Sequence, residues 1–233
     1  MTGTGTVLNI AAVAVGTTAG VLFGARLPER LRATLMQGLG LFVLFLGFRE
    51  ATGTHNALLM LGALLAGGLI GELLQLEDRL ERLGGVIQRR VGSASDAADR
   101  ERFVQGFLVA SLVFCVGPLT ILGSIQDGLR GDIDLLATKS ALDGFAAFAF
   151  ASTLGWGVGA SIVTIAVFQG GLTVAAGQMD DILTDRMVDE MSAVGGLMLI
   201  GIGLRLLDIA EVRVGSFLPA IVIAPVLVGL FGR

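Results

Sequence analysis

Eight apolar stretches occupy most of this chain, and the first three echo the last three about 156 residues later, while the loops between them change the sign of their charge. That feature narrows the fold sharply. Adding 156 to the residue number pairs Leu27 with Leu183, Glu29 with Asp185, Arg30 with Arg186, Gly40 with Gly196, Leu41 with Leu197, Gly47 with Gly203 and Arg49 with Arg205. With one residue of slippage, Ile10 meets Ile165, Ala11 meets Ala166, Gly16 meets Gly171 and Thr18 meets Thr173. Related blocks with oppositely charged loops predict an inverted repeat, in which helices one to three are related to six to eight by an axis in the membrane plane.

Composition agrees. Of 233 residues, 54% are hydrophobic and 15% charged, with 35 glycines, and the mean hydropathy is +0.82. A soluble domain of this size needs more polar surface, so the bilayer is the expected solvent. Net charge is −4 and no basic stripe interleaved with aromatics is present, which sets nucleic acid aside as a partner. The single cysteine, Cys115, rules out a disulfide within the chain and a cysteine metal cluster. The first arginine is Arg26; with no positive segment ahead of it, the first helix is expected to stay rather than be cleaved.

A spanning helix needs about 20 mostly apolar residues. The expected spans are Thr4 to Gly24, Ala33 to Phe48, Asn56 to Leu76, Phe103 to Ile125, Thr138 to Leu154, Trp156 to Ala176, Met191 to Leu207 and Ser216 to Leu230. Ala141 to Ala176 could instead be one kinked span, giving seven helices; Gly155, Gly157 and Gly159 offer the break. Loop charge favours eight. Arg26, Arg30 and Arg32, then Arg79 to Arg102, then Arg205 and Arg213 belong inside, and the acidic loop from Asp180 to Glu190 suits the outside. Both termini are therefore expected outside. The chain divides into a first three-helix repeat (1–76), an amphipathic cytoplasmic connector (77–102), a central pair with a Gly-Pro break (103–154) and a second three-helix repeat (155–233). A shift of about 38 residues weakly relates helix four to helix five.

Polar residues at membrane depth are the default functional candidates. Pro118 removes a backbone donor and frees the carbonyl of Phe114, with Thr120 and Ser124 one turn apart beside the break. Gln126 and Asp127 follow. Lys139 and Asp143 are also one turn apart, so that pairing would reduce the cost of burying either. The alternative is an external loop from Gln126 to Lys139. Asn9, Gln105, Gln169 and Glu72 suit interhelical hydrogen bonds at least as well as ligand contact. Gly16, Gly20 and Gly24 form a small-residue stripe, as do Gly67 with Gly71 and Gly155 with Gly159, for packing within the chain or across a homodimer. His-Glu-x-x-His, Gly-x-Ser-x-Gly and Walker motifs are absent, so no enzyme, metal or cofactor is expected.

Asn9 preceded by Gly5-Thr6, Gly67 to Leu74, Gly117-Pro118 to Gly131-Asp132, Lys139-Ser140 with Asp143-Gly144, and Gln169-Gly170 together resemble the bacterial inner-membrane family known as YqgA-like or YdfK-like. The resemblance covers the whole chain. It implies a membrane location for a family described as uncharacterised and at times labelled a transport protein, and it supplies no substrate.

The expected protein is an all-α polytopic bundle of about eight helices that moves a small solute or ion. Its site draws on Asp143, Lys139, Pro118, Thr120, Ser124, Gln126, Asp127, Asn9 and Gln169. The rival readings are a passive channel lined by glycine-rich helices and a membrane scaffold or sensor whose partner binds the connector.

Overall fold

In the computed structural model the described residues are 2–80, 82, 97–115, 117–176 and 183–231. Among them there is no strand. The helices are α1 (Thr4–Gly24), α2 (Glu29–Ala51), α3 (Ala57–Leu73), α4 (Ala97–Cys115), α5 (Pro118–Arg130), α6 (Asp134–Leu154), α7 (Gly157–Val174), α8 (Asp185–Leu206) and α9 (Pro219–Phe231), with a 3-10 turn at Val214–Phe217. α2 extends beyond its expected span at both ends, where Glu29 and Arg49 complement the helix dipole. Asn56 caps α3 by accepting from Leu58 N at 3.0 Å, and Thr184 caps α8 by accepting from Met187 N at 3.3 Å.

The expected single span from Phe103 to Ile125 is two helices, α4 and α5, bent by 61°. Gly117 at φ 127 occupies backbone space open mainly to glycine, and Pro118 restarts the chain as an N-terminal helical residue needing no N–H. The expected fifth and sixth spans are two separate helices, α6 and α7, divided by Gly155 at φ 72. α6 begins at Asp134, so Gln126 to Lys139 is not an open loop: α5 runs to Arg130 and Lys139 lies inside α6. A helical turn covers 76–80. Most of the amphipathic connector, including Leu83, Ile87 and Ser93, lies outside the described residues, as do Asp180 and Asp181.

Among the described residues five helical segments are long and apolar enough to cross a bilayer, and up to six if the bent α4–α5 pair is one span. α3 has 17 residues. α6 has 21 residues but carries Lys139 and Asp143. Large apolar side chains point outward, among them Leu69, Phe145 and Val174 at 68%, 78% and 88% exposure, while Asn9, Gln169 and Thr120 are fully buried. This pattern, greasy outside and polar or small inside, is that of a protein solvated by lipid.

The chain divides into two compact units, neither contiguous in sequence. In the first, α1 lies along α6 at backbone contact. A Cβ on Gly16, Gly20 or Gly24 would overlap the carbonyl oxygen of Gly144, Phe148 or Ser152, respectively. Both numbers rise by four at each step, so the helices run parallel. α7 runs antiparallel to α1, with Thr6 opposite Thr173 and Gly159 opposite Thr17. α4 runs parallel to α7, with Phe103 against Gly157 and Ser111 bonded to Thr164 at 2.9 Å. We expect Gly20→Val to destabilise the protein by about 1–3 kcal/mol through overpacking. Gly38→Val, where a Cβ meets nothing within 4 Å, should leave the melting temperature in detergent unchanged.

In the second unit α2 and α8 are antiparallel and meet at glycines. A Cβ on Gly47 would lie 2.7 Å from Gly196 O, and one on Gly203 would lie 3.1 Å from Gly40 O. α3 packs against the 3-10 turn and α9 through Gly71 and Gly67, which face Ser216 and Ala220.

Candidate functional site

The first unit holds a buried polar cluster built from three helices. On α6, Lys139 Nζ donates to Asp143 Oδ2 one turn later, and both side chains are 7% exposed. Lys before Asp is the less favourable order for an isolated helix, so local helix stability does not account for the pair. Asp143 lies nine residues after Asp134 in a 21-residue helix, about midway along it. On α1, Asn9 Nδ2 donates to Asp143 Oδ2 at 3.0 Å and to Gln169 Oε1 on α7 at 2.9 Å. Gln169 Nε2 donates to Thr6 Oγ1 at 3.3 Å. Thr173 Oγ1 spends its hydrogen on the carbonyl of Gln169 at 3.0 Å, so across the 3.4 Å between the two threonines Thr6 is the donor. The direction of each hydrogen bond from Asn9 to Thr173 is thereby assigned.

One polar atom is left over. Asn9 Oδ1 is buried and has no hydrogen-bond partner, and turning the amide over would aim that oxygen at the Asp143 carboxylate instead. Lys139 sees the face of Phe114 at 6.0 Å from the ring centroid, the outer limit for cation–π attraction. The arrangement therefore holds one buried charge of each sign, side by side, beside an acceptor that lacks a donor.

Of the residues expected at a site, Asp143, Lys139, Asn9 and Gln169 come together here. The others lie elsewhere in the region. Thr120 Oγ1 donates to Phe114 O at 3.1 Å, the carbonyl that the break at Pro118 leaves without its helical donor, and Ser124 Oγ donates to Thr120 O at 2.6 Å. Their hydroxyls serve the helix backbone. Removing the Thr120 hydroxyl in Thr120→Val should cost about 1 kcal/mol, read as a lower melting temperature in detergent, with Thr120→Ser close to the parent. Gln126 is exposed. Asp127 is fully buried, and its carboxylate accepts from Gly3 N at 3.1 Å and Gly5 N at 3.0 Å, capping α1 from another helix.

Thr6 and Thr173 were not expected at the site, because helix hydroxyls are common and only their pairing across α1 and α7 places them there. Two carboxylates in the second unit were also missed. Glu190 accepts from Thr54 Oγ1, His55 N and Asn56 N at 2.8, 2.7 and 2.9 Å. Glu77 accepts from Gly215 N at 2.6 Å and Arg205 Nη1 at 3.3 Å. Glu72, expected to be an interhelical hydrogen-bonding residue, takes Arg213 Nη1 at 2.7 Å and Ser216 Oγ at 3.2 Å. Arg213 also bonds Asp78 at 3.0 Å.

A family model described as a protein of unknown function (DUF554) matches residues 4–229. The chain is 28% identical over 228 residues to the "Uncharacterized membrane protein YdfK" of Bacillus subtilis (strain 168), covering 96% of this chain and 95% of that one. It is 33% identical over 220 residues to the "Uncharacterized protein YqgA" of Escherichia coli (strain K12), covering 94% of each. No solved structure matches.

Proposed function

From the premise that the chain belongs to the DUF554 family and is an integral membrane protein, we propose that it carries a small solute or ion across the bilayer through the α1–α6–α7 cluster. The observation that supports this reading is the Lys139–Asp143 pair, joined by Asn9 to Gln169. Ionisable groups in a membrane protein are expensive and mark solute or ion pathways by default. The roles follow from the contacts: Lys139 and Asp143 present opposite charges to the solute, Asn9 orients Asp143, and Gln169 ties α7 to Asn9 and Thr6 on α1. The protein moves its solute without converting it, in the bacterial inner membrane.

Eight crossings with both termini outside fit this role. α1 and α6 run parallel, so an even number of crossings separates their starts. α1, α2, α3 and a bent α4–α5 that crosses once supply four; a re-entrant α4–α5 would supply three. The antiparallel course of α2 and α8 is what an inverted repeat requires, and the paired Gly40 with Gly203 and Gly47 with Gly196 are reciprocal under the offset of 156 that relates Gly40 to Gly196 and Gly47 to Gly203. A homodimer through a glycine face would use Gly171, where a Cβ meets nothing within 4 Å, since Gly16, Gly20, Gly24, Gly67 and Gly71 are already occupied within the chain.

Topology is checked with single cysteines in a Cys115→Ser background. A cysteine at Thr184 should label from outside intact cells and one at Pro28 should not; the reverse would overturn the orientation. Function is tested by a proteoliposome flux screen over ions and small metabolites. Saturable movement of one solute, lost when Lys139→Gln and Asp143→Asn are combined, is the expected result. Equal flux in that variant would remove the cluster from the pathway.

A further inference from the structure

The cluster's own charges and hydrogen bonds narrow what the solute can be. Lys139 and Asp143 neutralise each other in a site with little access to water, and a buried pair opened by removing one partner leaves the other as an uncompensated charge. A lone cation on Asp143 would strand Lys139, and a lone anion on Lys139 would strand Asp143. A ligand bearing one charge of each sign meets both at once, with no proton taken up or released. Its cationic end must also donate hydrogen bonds, because Asn9 Oδ1 is the buried acceptor that has no donor. The two protein charges lie one helical turn apart, about 5–6 Å between Cβ atoms, which suits a ligand whose own charges sit on neighbouring carbons.

We propose that the α1–α6–α7 cluster binds a small zwitterion with a primary ammonium group, of the α-amino acid class, its carboxylate on Lys139 and its ammonium on Asp143 Oδ2 and Asn9 Oδ1. This rests on the transport reading and names its substrate. Binding exchanges one internal ion pair for two across the ligand, so the net charge of the site does not change. Asn9 keeps its Nδ2 bond to Gln169, and that bond holds Oδ1 in place for the incoming ammonium.

The test is thermal stability of the full chain in detergent with free glycine or alanine, set against betaine, methylammonium and acetate, followed by uptake of the labelled amino acids into proteoliposomes. Glycine or alanine should raise the melting temperature saturably. Betaine, which has no donor for Asn9 Oδ1, and the two single-charge compounds should not. Asn9→Ser should bind about tenfold or more weakly, for loss of one hydrogen bond to a charged group. The combined Lys139→Gln and Asp143→Asn variant, which buries no unpaired charge, should fold and show no shift, so that loss of binding is separable from failure to fold. Stabilisation by methylammonium or acetate alone would overturn the zwitterion assignment in favour of a simple ion site. Flux of some other solute with no response to the amino acids would overturn it and leave the transport reading standing. Binding without uptake would uphold the site and overturn transport.

Discussion

Asp143→Asn should destabilise the protein by about 3–5 kcal/mol, the cost of leaving Lys139 as a buried cation without its counter-ion. Lys139→Gln should cost a similar amount for the opposite charge. Combining the two should recover most of the loss, because the pair's removal takes away both desolvation penalties together with the attraction between them. The coupling between the substitutions is therefore expected to be large and of the sign that makes the double variant more stable than either single loss predicts. Melting temperature in detergent reads the stability, and flux tests the proposed transport: the double variant is expected to fold and not to transport. The competing picture, two side chains in a solvated loop, predicts changes well under about 1 kcal/mol for each. Their 7% side-chain exposure decides between these regimes. Parent-like stability in all three variants would show that water reaches the pair.

Much of the helical framework was legible in the sequence because it depends on local properties. Thr4 to Gly24 matches α1 at both ends, since a polar glycine-rich start and an arginine after the last apolar residue bracket one continuous run. Gly155 divides α6 from α7 for a reason visible one residue at a time, its freedom at positive φ. The bend between α4 and α5 was only half visible. Gly117 and Pro118 announce a break, but Leu119, Ile121 and Leu122 continue the apolar run beyond it, and hydropathy does not register direction. The site was legible as residue types and not as an assembly. Lys139 and Asp143 could be paired from spacing because one helix carries both. Asn9 lies 134 residues from Asp143 and 160 from Gln169, and the repeat does not bring them together, since at its offset Gln169 falls on the apolar Ala14. Glu190 was obscured in another way. It stands among Asp180, Asp185 and Asp189, where it read as one more outer-loop charge, and only its complete burial separates it from its neighbours.

Glu190→Ala is expected to be the second most damaging substitution, costing about 2–5 kcal/mol. The carboxylate collects three donors from the segment that joins α2 to α3, namely the Thr54 hydroxyl and the backbone N–H groups of His55 and Asn56. Each buried donor left without an acceptor costs about 1–3 kcal/mol. The sum falls below three full penalties because that segment is partly exposed and water can replace some of the lost bonds. Asn56 is also the residue that caps α3 through Leu58 N, so releasing its backbone should loosen the start of that helix as well. Glu190→Gln keeps the oxygen that receives the two backbone N–H groups and changes only the contact with Thr54, whose hydroxyl can turn to accept instead of donate; its expected cost is about 1 kcal/mol. Glu190 lies outside the cluster of Lys139, Asp143, Asn9 and Gln169, so the Gln variant, once folded, should retain flux at the parent rate. Melting curves for the two variants, with hydrogen exchange at 52–58, check the argument. Equal losses for Ala and Gln would mean that the negative charge itself, and not the acceptor geometry, holds the segment, while no loss for Ala would mean that water serves these donors as well as the carboxylate does.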